Sequence, residues 1–204
     1  MSENSTPVAT SAPTSATALR EDYVARAERF ARVLDGADGR WDSPSPCVGW
    51  DARAVVRHVV DTERELLERH GLAVPPAPEL GTGPTGPVAE AWRAHVAATA
   101  AVLTDEVLDR TYDGFFGPTT IGATLRDFYT WDLLVHGWDV ARATGQPYVI
   151  DEADAAAHDA AADGWGDALY ADGICAAAVP VAPDASAGDR LLGRLGRDPH
   201  WVAA

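Results

Sequence analysis

Apolar positions recur at helical spacing in several separate stretches of the chain. Tyr23, Ala27, Phe30 and Leu34 fall at i, i+4, i+7 and i+11 with Arg and Glu between them, which predicts an amphipathic helix over 18–36, closed by Gly36 and Gly39. Asp51 sits where an N-cap belongs, and a second helix is expected from there to about residue 70. Its inward stripe reads as Ala54, His58, Asp61 or Thr62, and Glu65. A third helix is expected over 88–109, with Ala91, His95, Ala98 and Val102 along one side. A fourth, over 121–144, stops at Gly145 with Pro147 just beyond. Asp151 caps a fifth over 152–170, which is Ala-rich and interrupted by Gly164 and Gly166, and a short last helix covers 187–196.

The connecting stretches carry breakers. Residues 41–50 and 75–87 are punctuated by Pro and Gly, and 112–120 holds Gly114, Gly117 and Pro118 among aromatics, as a tight loop or short extended piece would. Residues 174–187 have no helical period. There is no repeat and no βαβ alternation. Four long helices with short connections therefore predict an all-α, antiparallel four-helix bundle with an extra C-terminal helical segment.

Composition narrows the function classes. The 204 residues suit a single domain, 18–204, behind a flexible tail over 1–17 rich in Ser, Thr, Ala and Pro. A net charge of −15 excludes nucleic acid as a partner, because neutralising phosphates needs clustered positive charge. No apolar run approaches the roughly 20 residues that span a bilayer, so no membrane partner is expected. The N-terminus lacks a basic segment followed by an apolar one, which points to the cytoplasm. Cys47 and Cys175 are read as reduced thiols, and the chain as a monomer or homodimer with a small-molecule substrate.

The chemistry concentrates between residues 125 and 146. Asp132 and His136 are four apart and share a helix face, which Tyr129, Asp139 and Ala143 continue. Burying such groups unpaired would cost about several kcal/mol each, and a metal ion would satisfy them. His58, mid-helix on the otherwise apolar turn Val55–Val60, can supply a third ligand; a hydrogen-bonded core histidine is the competing reading. Two imidazoles and a carboxylate leave coordination positions open and suit a divalent metal, Zn²⁺ foremost, with Ni²⁺, Fe²⁺ or Co²⁺ as alternatives. Asp139 either holds a ligand histidine by its second nitrogen or pairs with Arg142. Glu65 and Tyr129 are the candidates for moving protons. Cys47 reads as a small buried filler and His95 as a packing residue; His70, His158 and His200 read as terminal or exposed. Trp131 and Trp138, seven apart, are expected to pack between helices.

Three blocks of the chain are also familiar. Trp41 with Ser45-Pro46-Cys47-Val48-Gly49-Trp50 and His58, then Asp132-Leu-Leu-Val-His136-Gly-Trp-Asp139-Val-Ala-Arg-Ala-Thr-Gly145, then Ala187 to Leu192 with Gly196-Arg197-Asp198-Pro199, occur in that order. Together they resemble actinobacterial metal-binding proteins of the DinB/YfiT-like superfamily, related to the N-terminal domain of mycothiol-dependent maleylpyruvate isomerase. The resemblance implies a DinB four-helix bundle whose divalent metal is held by His58, Asp132 and His136. The isomerase has Glu where this chain has Asp132, which is shorter by one methylene. The function implied is that of a metal-dependent thiol transferase or isomerase acting on an electrophilic small molecule, with mycothiol as cosubstrate. The alternatives are a non-catalytic small-molecule or metal-binding protein, or a pathway-specific isomerase or cyclase that reuses the pocket without a thiol.

Overall fold

Local capping sets where the helices begin. The Ser15 hydroxyl accepts from the Ala18 amide and opens α1 (Ala16–Asp35), two residues earlier than its apolar period suggests. The Asp51 carboxylate accepts from the Ala54 amide at 2.7 Å and opens α2 (Ala52–Arg69). These elements are seen in a computed structural model that describes residues 15–74, 76, 79–171 and 173–203. Of the tail expected at 1–17, residues 1–14 lie outside the described residues, as does part of the connector at 75–87, while Ala16 and Thr17 already belong to α1.

The third helix is shorter than its period predicts. α3 (Val88–Val102) ends where the Thr104 side chain accepts from Val107 N and starts a separate single turn, α4 (Asp105–Leu108). The aromatic stretch at 112–120 forms an antiparallel hairpin, β1 (Thr111–Gly114) against β2 (Gly117–Thr120), with Phe115 and Phe116 at its tip. A continuous helical rod follows: α5 (Ile121–Thr124), a π turn (Leu125–Tyr129) and α6 (Thr130–Ala143). The Thr130 amide reaches back five residues to the Leu125 carbonyl, which defines the π turn. Gly145, at φ +68°, takes the left-handed turn that ends the rod. α7 (Glu152–Trp165), capped by Asp151, runs into a 3₁₀ turn (Gly166–Tyr170) instead of continuing, and α8 (Ala187–Arg194) is the last helix.

α1 lies against α3 and α6, and α2 lies against the same two helices, while α7 packs on α8. α6 is enclosed from both sides. Leu133, Val140, Ala141 and Ala143 join the core shared with α1, α2 and α3; Trp131, Leu134, Val135 and Trp138 join a second core with α7 and α8. Both tryptophans thus pack between helices, and α6 is buried nearly all round. The molecule is mostly helical, with one two-stranded sheet among the described residues. None of the described helices is long and apolar enough to cross a membrane.

α2 corrects the expected stripe. Its buried face is Val55, Val56, Val59, Val60, Glu63 and Leu67, whereas Asp61 and Glu65 are exposed and His58 and Thr62 half-buried. The four valines supply the core contact, and of the expected stripe His58 and Thr62 are left facing a cleft. Glu63 is accommodated in the core because Tyr23 Oη donates to its Oε2 at 3.1 Å and His95 Nε2 lies 2.5 Å from the same oxygen. His95 is therefore more than packing: it partners a buried carboxylate. His158, expected to be exposed, is buried on α7 with Nδ1 on the Asp154 carbonyl at 2.7 Å and its ring stacked on Trp131.

Candidate metal centre

α2 and α6 lie side by side, which sets His58 opposite the Asp132–His136 turn. One ligating atom from each of these three residues can be chosen such that all lie within 4.8 Å of one another. His136 Nε2 is 3.9 Å from Asp132 Oδ1, and the two imidazole rings meet edge to face with centroids 5.1 Å apart. That separation suits donors arranged around a shared cation better than a direct hydrogen bond, which would need about 3 Å. Burial and the neighbouring His136 push the His58 pKa below its ordinary value, which favours the neutral ring that a metal requires.

The second nitrogen of His136 is occupied. Nδ1 lies 2.9 Å from Asp139 Oδ2, three residues along the same helix. Asp139 is fully buried, and burial alone would raise its pKa. The Arg197 guanidinium and the His136 ring overcome that and hold the carboxyl well below the usual carboxylate range. Arg197 Nε donates to Asp139 Oδ1 at 3.0 Å and Nη2 donates to Oδ2 at 2.9 Å, the bidentate fit a guanidinium makes with a carboxylate. A carboxylate so held fixes the His136 tautomer with its proton on Nδ1 and aims the bare Nε2 at Asp132 and His58. Arg142, the other partner considered for Asp139, donates instead to the Pro199 carbonyl and lies over the Trp138 ring.

Cys47 proves to be part of this arrangement and not a filler. It lines the cleft, and its thiol donates to Asp139 Oδ2 at 3.2 Å, with Arg197 Nη2 at 3.8 Å from the sulfur. Cys47, His136 and Asp139 form a second set of metal-capable donors. A cation there would sit beside the Arg197 guanidinium and displace the hydrogen bonds that neutralise Asp139. The His58, Asp132 and His136 set meets neither obstacle. Burial, then the Asp139 charge, push the Cys47 pKa up to about 12, so the thiol stays protonated.

The three donors open onto a cleft of about 2020 Å³ bounded by the 46–50 loop, α2, the hairpin, the π turn and the segment after α7. Tyr129 lines it, but its hydroxyl donates to the Thr62 carbonyl at 3.0 Å and its pKa is raised by burial. Glu65 stands exposed on α2 and is not a wall of the cleft. Two residues here escape the reading of the sequence. Cys47 looked like a small apolar residue between Pro46 and Val48, and Arg197 lies 58 residues from the Asp139 it pairs with.

Residues 20–141, more than half of the chain, match the family model described as the mycothiol maleylpyruvate isomerase N-terminal domain, a DinB/YfiT-like family. No curated protein and no solved structure matches the chain. The matched region holds His58, Asp132, His136 and Asp139; Arg197 lies beyond it.

Proposed function

We propose, because the chain belongs to the mycothiol maleylpyruvate isomerase N-terminal domain family, that it is a cytoplasmic, metal-dependent thiol transferase or isomerase built on a four-helix bundle. Its cosubstrate is a low-molecular-weight thiol, mycothiol, and its acceptor an electrophilic small molecule. The observation that carries this reading is the convergence of His58, Asp132 and His136 on the wall of an open cleft. A divalent cation held there, Zn²⁺ first, would lower the pKa of an incoming thiol and keep the thiolate beside the acceptor.

The chain's own groups define the remaining steps. Asp139 and Arg197 fix His136, and the lowered pKa of His58 keeps it unprotonated. Cys47 and Cys175 both line the cleft and burial raises the pKa of both, so each is held as a neutral thiol and the sulfur nucleophile comes from outside the chain. In addition to a conjugated carbonyl compound, the new C–S bond forms as the C=C electron pair moves to the carbonyl oxygen, and the thiol proton returns to carbon. Isomerisation follows if the former double bond rotates, the carbon gives a proton back as the C=C re-forms, and the C–S bond breaks to release the thiol with that proton. With Tyr129 engaged on Thr62 and Glu65 outside the cleft, that proton travels through water in the open cleft.

Gently purified protein is expected to carry stoichiometric divalent metal by mass spectrometry, and His136→Ala to lose it. Mycothiol should raise the melting temperature of the metal-loaded form and leave the stripped form unmoved. A wild type that is metal-free as purified, and that takes up neither Zn²⁺ nor Ni²⁺, would sink the site.

A further inference from the structure

Large apolar side chains are left exposed in a pattern. Val48, Trp50, Phe115, Phe116, Tyr170 and Ile174 are all exposed and all line the same cleft, although they come from three separate segments of the chain. An apolar rim assembled in this way around a polar interior marks a binding site, not scattered surface residues.

The wall beneath the rim carries a stack of aromatic rings. The Phe116 and Phe128 rings are inclined by 11° with centroids 6.2 Å apart, and Phe128 and Trp165 by 5° at 5.0 Å. Trp165 meets Trp131 at 5.1 Å, and Trp131 is the residue before Asp132. A ladder of near-parallel rings therefore runs from the hairpin tip to Trp165 on α7, and Trp131, tilted by 56° to Trp165, links it to the helix that bears two of the metal-capable donors. The cleft's 2020 Å³ exceeds the roughly 300–1,000 Å³ of a site for one small molecule, which leaves room for two.

We propose that the acceptor is a planar, fused-ring aromatic carbonyl compound, laid against the Phe116–Phe128–Trp165 ladder with its reactive end at His58, Asp132 and His136. Ring faces sharing one orientation select a flat partner through offset stacking, whereas a flexible alkyl chain gains nothing from that alignment. The hairpin tip, with Phe115 and Phe116, covers the outer end of the bound rings. The orientation rests on the metal-site reading given above; the aromatic binding itself does not.

Acridone, a planar three-ring carbonyl compound with no electrophilic carbon, is the probe. Titration followed by tryptophan quenching and calorimetry should show saturable binding, with decanoic acid binding more weakly. Phe128→Leu and Trp165→Leu keep apolar bulk and remove a ring face, and each should raise the acridone Kd by about two- to tenfold while leaving decanoic acid unaffected. Phe116→Leu, at the exposed hairpin tip, should do the same with no change in melting temperature, which separates lost stacking from lost folding. No acridone binding to wild type, an unchanged Kd in all three variants, or tighter binding of decanoic acid overturns the proposal. So does a concentration-dependent dimer abolished by Phe115→Asp, because the rim would then be an interface between copies of the chain. Metal content measured on the same samples keeps the two readings apart. Metal-loaded protein that ignores acridone removes the aromatic acceptor alone, and protein that binds acridone but takes up no metal removes the metal site alone.

Discussion

His136 faces two environments with two nitrogens. Nε2 points toward Asp132 and His58, and Nδ1 is held by Asp139, whose charge is in turn balanced by Arg197. Asp139→Asn keeps the shape and removes the charge that fixes the tautomer. The expected result is about a 10–100-fold loss of Zn²⁺ affinity, measured by competition with a chromophoric chelator. Unchanged affinity would mean that Asp139 serves only to neutralise Arg197. Cys47 permits a test of the local field without any metal. With its pKa pushed up to about 12, its alkylation by iodoacetamide at pH 8 should be on the order of a thousandfold slower in the metal-free native protein than in urea. Comparable rates in the two states would show that Cys47 is a reactive thiol after all, and the argument for an external nucleophile would fall with it.

At the scale of elements, α2 holds two polar groups turned in different directions. His58 faces the cleft, while Glu63 faces the core and joins α1 to α3 through Tyr23 and His95. Glu63→Ala would leave Tyr23 Oη and His95 Nε2 unpaired in the core beside a cavity. A loss of about 3–5 kcal/mol is expected in urea unfolding, with the metal site untouched in whatever fraction remains folded. A loss below about 1 kcal/mol would show that water replaces the carboxylate. These two residues also mark what could be read from the chain beforehand. Asp51, Asp151 and Gly145 act through neighbours a few residues away, so the helix ends they set were legible. The spacing of Asp132 and His136 was legible for the same reason. The inner face of α2 was not, because a helix between a core and a cleft has two faces turned from bulk water, and the polar one carries the chemistry. Glu63 was hidden by its position in a run of Glu and Arg that resembles a solvated face, since both its partners are brought up by other helices. The break before α4 turned on a single Thr104 cap, and the π turn left no mark in the apolar period.

Across the whole molecule, α6 is the shared wall of two cores, and Trp131, which belongs to the second core and lines the cleft, carries His158 of α7 stacked on its ring. Burial holds the His158 pKa below its ordinary 6.5. Its neutral ring donates from Nδ1 to the Asp154 carbonyl, and protonating the other nitrogen would place a charge against Trp131. Since the folded pKa is the lower one, the unfolded chain binds more protons once pH drops past 6.5. Stability contributed by the neutral ring is therefore complete above that pH and declines as pH falls toward the folded-state value. The net charge of −15 acts with the opposite sign, because acid relieves self-repulsion among 31 carboxylates. Wild-type melting temperatures alone would mix the two effects, and a comparison with His158→Gln separates them. Glutamine removes the titrating group and leaves the overall charge at pH 7.5 as it was. Between pH 7.5 and 5.5 the wild type should lose melting temperature relative to the variant. Parallel curves over that range would mean that the ring is not kept neutral by the fold, and that α7 lies on α6 too loosely to exclude a charge from their joint.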